Sequence, residues 1–274
     1  KSSIGFTLFL LKDDEEPIPL DGNITLPEQT PIYNRLFFKR RFFILSKFDM
    51  EDDDSLYQLF CDVRALVHSG QIEMASENAL KLMYYELKAD YPIPLTKESI
   101  PKDHEKYLPV GMKPKEKVSK FIQKMMEEFP VNEKRDAMIE YIRIARTLPT
   151  FGSEKYDVDL VEEKKDTVER SHVFIYVGPY KVFIKDESQK KQLFSVSYKH
   201  LLGVNNTDQE FCIRYHNNED NRIIEKIHLE SPNSAKISGF IISYLQVSFQ
   251  ILLKRIETND ETQPTDRIEL KTVF

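Results

Sequence analysis

Tryptophan is absent from this chain of 274 residues, cysteine occurs only twice and glycine only eight times. The few glycines form no Gly-x-Gly-x-x-Gly or Walker-type loop, which excludes the usual glycine-rich cradles for nucleotide phosphates. A chain of this size with two cysteines is typical of a reducing compartment and has no disulfide framework. Because Cys61 falls in a helical apolar pattern and Cys212 in a strand pattern, we predict that both are unpaired, buried apolar side chains.

Long apolar runs and an excess of basic residues are also missing. No run approaches the roughly 20 apolar residues that a membrane-spanning helix needs, and no signal peptide is visible. The formal net charge of −6 at pH 7 argues against a general nucleic-acid binder, whose domain would be strongly basic. The first residue is Lys1, from which we expect the chain to be a piece of a longer protein.

Patterns that would indicate catalysis or metal binding are not found in the sequence. The six histidines are scattered without ligand spacing such as His-Glu-x-x-His, and no Gly-x-Ser-x-Gly nucleophile elbow occurs. Acidic pairs such as Asp13-Asp14 and Asp52-Asp53 lie in polar segments, where helix capping and solvation explain them better than acid–base chemistry. We therefore predict no catalytic residues, no metal site, no cofactor and no enzymatic activity.

The hydrophobic pattern divides the chain into three sections. Residues 4–45 hold two short extended stretches, Phe6–Leu11 and Arg35–Ile44, broken by prolines and without a helix of their own. Residues 52–148 carry four apolar stripes at helical spacing, which predicts a small helical bundle. Residues 153–256 alternate as seven strands and end in a long helix from Ser234; the strands include Tyr156–Val161, His172–Val177 and Gln192–Ser197. This order is typical of pleckstrin-homology (PH) or phosphotyrosine-binding (PTB) modules, in which a helix covers one open end of a β-sandwich.

The change from helices to strands takes place in one short segment. The fourth helical stripe places Tyr141, Ala145 and Leu148 on one face. Pro149 and Gly152 end this helix, and an alternating strand pattern follows directly. The segment therefore marks a junction between two lobes.

Three motifs carry a resemblance to a known family. They are Leu56-Tyr-Gln-Leu-Phe-Cys-Asp-Val63 with His68-Ser-Gly70, then Tyr107-Leu-Pro109, and then Ala145-Arg-Thr-Leu-Pro-Thr-Phe-Gly152. Together with the order of a strand fragment, four helices, seven strands and a helix, they resemble a FERM domain over nearly the whole chain. Within that family the chain looks most like talin, with the FERM segments of MyTH4-FERM myosin tails second.

The resemblance implies a multi-lobe α+β fold. Residues 1–48 would be the C-terminal part of a ubiquitin-like first lobe, present here as a partial strand section. Residues 49–150 would form a four-helix second lobe like an acyl-CoA-binding protein, and residues 151–256 a PH/PTB-like seven-stranded β-sandwich with a C-terminal helix. Residues 257–274 are polar, and we expect a tail or linker there, or an extended strand that folds back into a groove.

Lysines are concentrated around the third helical stripe. Several recur at every third or fourth position, which places them along one side of a helix, opposite the apolar side of Val118, Phe121 and Met125. In talin-like proteins the corresponding segment contacts acidic lipid, and each lysine near an anionic leaflet contributes about 1 kcal/mol. The resemblance thus implies a lipid-binding set, with an ordinary solvated helix face as the alternative. The set comprises Lys113, Lys115, Lys117, Lys120 and Lys124.

A strand of the third section and the closing helix form a second candidate surface. An edge strand beside an apolar helix can accept an extended peptide by strand addition, although many sheet edges are blocked. In talin-like proteins an Arg-Trp pair on this strand helps to hold a receptor tail, whereas this chain has Gly203 and Val204 at those positions. The predicted peptide-binding residues are His200, Leu201, Leu202, Gly203, Val204, Asn205, Ile241, Tyr244, Leu245 and Ser248.

These features predict a non-catalytic adaptor between membrane and cytoskeleton. As in talin-like adhesion proteins, the second lobe would bind acidic phospholipids such as phosphoinositides, and the third lobe the tail peptide of a receptor or cytoskeletal partner. The expected place is the cytoplasm, at the inner face of the plasma membrane and on the actin cytoskeleton, with no nucleic acid as partner. Two alternatives stay open: the cargo-binding FERM domain of a MyTH4-FERM myosin tail, and the regulatory FERM domain of a kinase or phosphatase.

Overall fold

A computed structural model describes residues 6–11, 18–19, 35–43, 48–91, 101–113, 117–131, 133–164, 167–188, 190–217 and 223–258. The chain divides into two compact units, Lys1–Gly152 and Ser153–Phe274. A small sheet and the helical bundle belong to the first unit, and a large sheet with its closing helix to the second.

The small sheet of the first unit has three antiparallel strands. They are β1, Phe6–Leu11, β2, Ile18–Pro19, and β3, Arg35–Arg40, in the order β2-β1-β3. The register sets Phe6 opposite Arg40 and Leu11 opposite Arg35. The two strands expected in this section are thus present, and β3 ends at Arg40 rather than at Ile44. Of the other residues expected in the partial first lobe, 41–43 and 48 are described, and the rest lie outside the described ranges.

Five α-helices follow: α1, Phe48–Glu51, α2, Asp53–His68, α3, Ser76–Asp90, α4, Val118–Glu128, and α5, Lys134–Thr147. A short 3₁₀ turn at His104–Tyr107 lies between α3 and α4. Asp52 begins α2 as its N-cap, because its carboxylate accepts a 2.9 Å hydrogen bond from the Ser55 N–H. The four longer helices confirm the predicted stripes, whereas α1 and the 3₁₀ turn are too short to show a period in the sequence.

The apolar stripes of these helices form one core. Burying a leucine-sized side chain contributes about 1.5–3 kcal/mol, so the fully buried side chains dominate the stability of this unit. The Phe60 ring of α2 meets the Tyr141 ring of α5 edge to face at 5.1 Å. Other fully buried members of the core are Leu56, Leu59, Val63, Leu82, Met83, Leu87, Ile122 and Ala145.

The segment after α5 is held tightly in the same unit. Leu148 and Phe151 are buried, and the Phe151 ring lies 5.7 Å from the Phe43 ring. The Thr150 hydroxyl accepts a 2.7 Å hydrogen bond from the Glu73 N–H. Gly152 has a φ of +61°, a left-handed conformation that glycine adopts without strain.

The second unit contains a seven-stranded antiparallel sheet in the order β7-β6-β5-β4-β10-β9-β8, with β7 and β8 at its two ends. Its inward residues, such as Val173, Ile175, Ile184 and Ile213, are almost fully buried. The strands are β4, Glu154–Lys164, β5, Thr167–Val177, β6, Lys181–Asp186, β7, Gln192–Ser197, β8, Leu201–Asn206, β9, Glu210–His216, and β10, Ile224–Glu230.

The closing helix is α6, Ser234–Thr258. It packs against β8, β9 and β5, and its side chains Ile237, Ile241 and Tyr244 are fully buried. Seven strands and this helix confirm the predicted PH/PTB-like sandwich. Residues 259–274, most of the predicted tail, lie outside the described ranges.

Two predictions of detail were wrong. β4 and β5 extend beyond the expected Tyr156–Val161 and His172–Val177, because their outer halves pair with each other and carry polar residues that hide the strand period. The cysteines are free, as expected, but neither is fully buried. The Cys61 sulfur lies 4.0 Å from the Arg64 guanidinium, and that of Cys212 3.8 Å from the His228 ring.

Replacing Gly152 by alanine tests the junction. A Cβ at this position would lie 2.6 Å from the Phe43 Cβ, in addition to the strain of a left-handed backbone. Gly111 is the matched control, since its φ is +77° but a Cβ there meets nothing within 4 Å. We expect Gly111→Ala to cost about 1–2 kcal/mol of unfolding free energy in urea titrations and Gly152→Ala clearly more. Equal losses would contradict tight packing at Gly152.

Candidate docking surfaces

One candidate surface begins at the edge strand β8. Among the described strands β8 pairs only with β9, in a register that sets Leu201 opposite Tyr215 and Val204 opposite Ile213. The register shifts between Leu201 and Gly203, and the Leu202 side chain at this bulge is 42% exposed. The outer edge of β8 thus has backbone groups without a strand partner in the described part of the chain, as strand addition requires.

Two contacts fix how α6 is rotated on the sandwich. The Ser234 hydroxyl donates a hydrogen bond to the Thr207 carbonyl, just after β8, and the Lys236 ammonium lies 5.7 Å from the centre of the Tyr156 ring on β4. Because an α-helix turns once in about 3.6 residues, Leu245 and Phe249 follow the same side as Ser234. That side of α6 therefore faces β8.

The groove between β8 and α6 combines this edge with apolar side chains. Ile242 and Phe249 of α6 are 37% and 57% exposed, and Leu245 is partly buried. Leu202 of β8 is exposed as well, so both elements carry exposed apolar side chains. We call the surface formed by β8 and this side of α6 the β8 groove.

The structure brings the predicted peptide-binding residues together on β8 and α6, but not all of them reach the surface. Ile241 and Tyr244 are fully buried, so they support the groove from below and are not accessible to a peptide. Leu245 and Ser248 are partly exposed. The prediction missed Ile242 and Phe249, because this helix is apolar on several sides and its period alone does not show which side faces β8.

His200 directly precedes β8 in the chain. Its carbonyl accepts a 2.9 Å hydrogen bond from the His216 N–H. Burial, followed by the charges of Lys199 and His216, lowers the pKa of His200 below its ordinary value. Its imidazole is therefore neutral at pH 7, able to donate or accept a hydrogen bond without adding charge to the groove.

The second candidate surface is the lysine face of α4. Lys120 and Lys124 are exposed on the helix, Lys117 is its exposed N-cap, and Lys113 is exposed shortly before it. The opposite side, with Val118, Phe121, Ile122 and Met125, is buried as predicted. Lys124 lies 4.0 Å from the Glu128 carboxylate. Lys115, the fifth residue of the predicted set, lies outside the described ranges.

The charges of α4 oppose its helix dipole. Lysines stand at the N-terminus, where the dipole is positive, while Glu127 and Glu128 occupy the last turn, where it is negative. The first turn has no acidic residue, the last turn has no basic one, and Lys117 makes no side-chain capping bond. Each misplaced charge costs about 0.3–1 kcal/mol at an exposed helix end. The arrangement therefore lowers helix stability and concentrates positive potential at one end of α4.

A third feature of interest is a buried acid, Glu86, that lies beside a histidine, His68. The side chain of Glu86 on α3 is 2% exposed, and one carboxylate oxygen lies 2.9 Å from Nε2 of His68 on α2. The Arg64 guanidinium lies 3.9 Å from the other carboxylate oxygen of Glu86. The same guanidinium lies 3.4 Å from the Asp90 carboxylate. Burial raises the pKa of Glu86 above its ordinary value, and the contacts with His68 and Arg64 offset only part of this rise.

Known proteins share a sequence pattern and a fold with this chain. Residues 47–156 match the sequence pattern of the FERM central domain. The FERM and C-terminal domain complex of Drosophila Merlin superposes with a TM-score of 0.70, covering 94% of this chain and 86% of that one at 16% identity. The chain has the FERM fold. The bundle α2–α5 is its central helical part, and the seven strands with α6 are its PH/PTB-like part.

Talin and myosin tails are among the proteins that this chain resembles. Two sequences of Talin-A from Dictyostelium discoideum are each 24% identical and align with 77% of the chain, over 223 and 218 residues. The chain spans only 8% and 16% of their lengths. The human Myosin 7b C-terminal MyTH4-FERM domain, in complex with the harmonin-a PDZ3 domain, has a TM-score of 0.60 at 17% identity and covers 92% of this chain and 53% of that one. The predicted resemblance to FERM domains of talin and myosin tails is confirmed.

Within the described ranges no helix is both long enough and apolar enough to cross a membrane. The same ranges hold no group of three or more histidine, cysteine, aspartate or glutamate side chains arranged to bind a metal ion.

Glu86→Gln tests whether burial of this carboxylate costs stability. A pKa that is raised on folding favours the folded state below the ordinary value of 4.5, and this contribution is lost as pH rises through the raised value. Glutamine cannot ionise, and its former partners His68 and Arg64 still reach water. We expect the variant to gain on the order of 1 kcal/mol of unfolding free energy at pH 7, with the gain shrinking towards pH 4.5.

Urea titrations between pH 4.5 and 8 measure this difference. Asp90→Asn is the control, since Asp90 is 34% exposed and contacts the same arginine; it should change stability little. A loss of stability in Glu86→Gln that grows as pH rises would show that the ion pair outweighs burial.

Proposed function

We propose that this FERM fold is a non-catalytic adaptor, which joins a membrane surface to a partner protein. The observation that carries the proposal is the presence of two docking features on one chain, the lysine face of α4 and the β8 groove. The talin and Merlin resemblances favour a cytoplasmic place at the membrane and cytoskeleton. The FERM family acts in general through binding, so the proposal requires no reaction.

Acidic phospholipid is the proposed ligand of the lysine face. Lys113, Lys117, Lys120 and Lys124 would each add about 1 kcal/mol at an anionic leaflet, enough for weak and salt-sensitive binding. The helix dipole supports this assignment. A chain selected for stability alone would place acidic residues at the N-terminus of α4, so lysines there are better explained by an anionic partner.

Reversing these charges separates binding from stability. We expect Lys117→Glu/Lys120→Glu to abolish co-sedimentation with vesicles of phosphatidylcholine and phosphatidylserine, or of phosphatidylcholine and phosphatidylinositol bisphosphate. The same change should raise the stability of α4 slightly, because glutamate suits a helix N-terminus.

Lys102→Glu/Lys134→Glu is the matched control. Both lysines are exposed, and Lys134 opens α5, so this variant gains the same dipole benefit without touching α4. It should sediment with vesicles like the unaltered protein. Unchanged vesicle binding of the α4 variant would refute the lipid half of the proposal.

The tail peptide of a receptor or cytoskeletal partner is the proposed ligand of the β8 groove. Strand addition supplies main-chain hydrogen bonds along β8, and the apolar side chains of α6 select the peptide's side chains. Gly203 favours close approach, since it leaves that stretch of the edge without a side chain, and a Cβ there would meet only the end of the Arg214 side chain at 3.7 Å.

Titrating isotope-labelled protein with cytoplasmic tail peptides tests the groove. Backbone resonances of residues 200–206 and 240–249 should shift, and Leu202→Asp should weaken binding by about tenfold or more. Val168→Asp is the control, because Val168 is similarly exposed on β5, away from the groove. Resonances in the groove that stay unchanged with every tail tested would contradict this half.

A cargo-binding domain of a motor tail is the second candidate function. It is favoured by the likeness to the Dictyostelium discoideum Myosin VII MyTH4-FERM MF2 domain, which has a TM-score of 0.57 at 16% identity and covers 86% of this chain and 50% of that one. The same groove would then hold cargo instead of a receptor. A regulatory domain attached to a kinase or phosphatase is the third reading, and no observation on the described residues favours it.

A further inference from the structure

The sheet of the second unit has another unpaired edge. Among the described strands β7 pairs only with β6. Native proteins usually protect an edge with charged residues, proline or a covering element, yet β7 reads Gln-Leu-Phe-Ser-Val-Ser without any charge or proline. α6 packs on β8, β9 and β5, at other places in the sheet. Within the part of the chain that the structure describes, β7 is therefore open to strand addition.

A cavity lies directly beside this edge. It has a volume of about 680 Å³, within the range of pockets that hold small ligands. Leu160, Ile184, Phe194 and Ile227 line it, and the Phe194 ring meets the Tyr215 ring at 4.9 Å. Leu193 of β7 also lines it and is 43% exposed. An apolar pocket next to an open strand is the arrangement that gives strand addition its side-chain selectivity.

The surroundings of β7 are basic in an otherwise acidic chain. Residues 181–199 hold five lysines and two acidic residues, whereas the whole chain carries a net charge of −6. Lys190 and Lys191 are exposed just before β7, and Lys226 is exposed where it lines the cavity. Asp186 is engaged locally, because its carboxylate accepts the N–H groups of both Lys190 and Lys191 at 3.0 and 3.1 Å. Glu162 and Glu187 are the opposing charges, so the excess is positive.

We propose that β7 and this cavity are a second docking site, specific for an extended acidic peptide. The peptide adds a strand to the free edge of β7 and places one large apolar side chain in the cavity, between Phe194 and Ile227. Its carboxylates face Lys190, Lys191 and Lys226. This site is separate from the β8 groove, so one chain can hold two extended partners at opposite ends of the same sheet.

A designed peptide serves as the probe. The peptide has ten residues in which glutamate alternates with valine, and phenylalanine replaces one valine near the middle. Titrated into the isotope-labelled full chain, it should shift the backbone resonances of Gln192–Ser197 and of Ile184 and Ile227, with those of Leu201–Asn206 unchanged. The same peptide with lysine in place of glutamate should not bind, since it meets the lysines with like charge.

Two variants on the protein side test the two halves of the site. Leu193→Asp places a carboxylate at the cavity, and Lys190→Glu/Lys191→Glu reverses the charge at the start of β7; each should weaken binding by about tenfold or more. Leu202→Asp in the β8 groove and Lys134→Glu on α5 are matched controls and should bind as before. Because all five positions are exposed, the fold is expected to tolerate these substitutions.

Three results would overturn the proposal. One is the absence of any binding of the acidic peptide, and another is binding whose resonance shifts are confined to the β8 groove. The third is binding of phosphatidylserine vesicles that is lost in Lys190→Glu/Lys191→Glu while the peptide fails to bind, which would make this region a membrane surface.

Discussion

The packing of α6 on the sandwich determines what the second unit presents to its surroundings. Ile237, Ile241 and Tyr244 are fully buried against the sheet, and the hydroxyl of Ser234 ties the first turn of the helix to the end of β8. Because α6 packs on β8, β9 and β5 without joining the sheet, neither β8 nor β7 gains a strand partner from it. α6 therefore stabilises the sandwich and leaves the outer edges of β7 and β8 available to extended peptides.

The two units combine this edge-based recognition with a charge-based one. In α4, lysines stand where the helix dipole disfavours them, and the buried apolar side of the same helix supplies the stability that offsets the cost. In the second unit, exposed apolar side chains border the open edges. Their contact with water costs free energy, which a bound ligand would remove. Both features sacrifice some stability of the free chain, as expected for surfaces that a ligand completes. The buried Glu86 shows that a carboxylate whose ionised form burial disfavours also lies inside the first unit.

The sequence predicted the elements well and the site residues only in part. The apolar stripes at helical spacing predicted the four longer helices. The predicted strand Gln192–Ser197 has the same bounds as β7, because the local sequence pattern and the burial agree there. The rotation of α6 could not be predicted, because it depends on contacts of Ser234 and Lys236 with residues distant in sequence. The bulge at Leu202 likewise arises from pairing with β9. Glu86 lies within an apolar stripe, and no pattern in the sequence predicted that its side chain is buried.

Amide hydrogen exchange in β7 and β8, resolved by residue, tests the central claim of open edges most directly. In dilute protein without ligand, alternate amides of both strands should exchange rapidly, since every second N–H of an antiparallel edge strand points away from its partner. The amides of Val173–Val177 in β5, Phe211–Tyr215 in β9 and His228–Glu230 in β10 should be protected, because these residues pair on both sides. Uniform protection of β7 and β8, equal to that of the inner strands, would contradict the account.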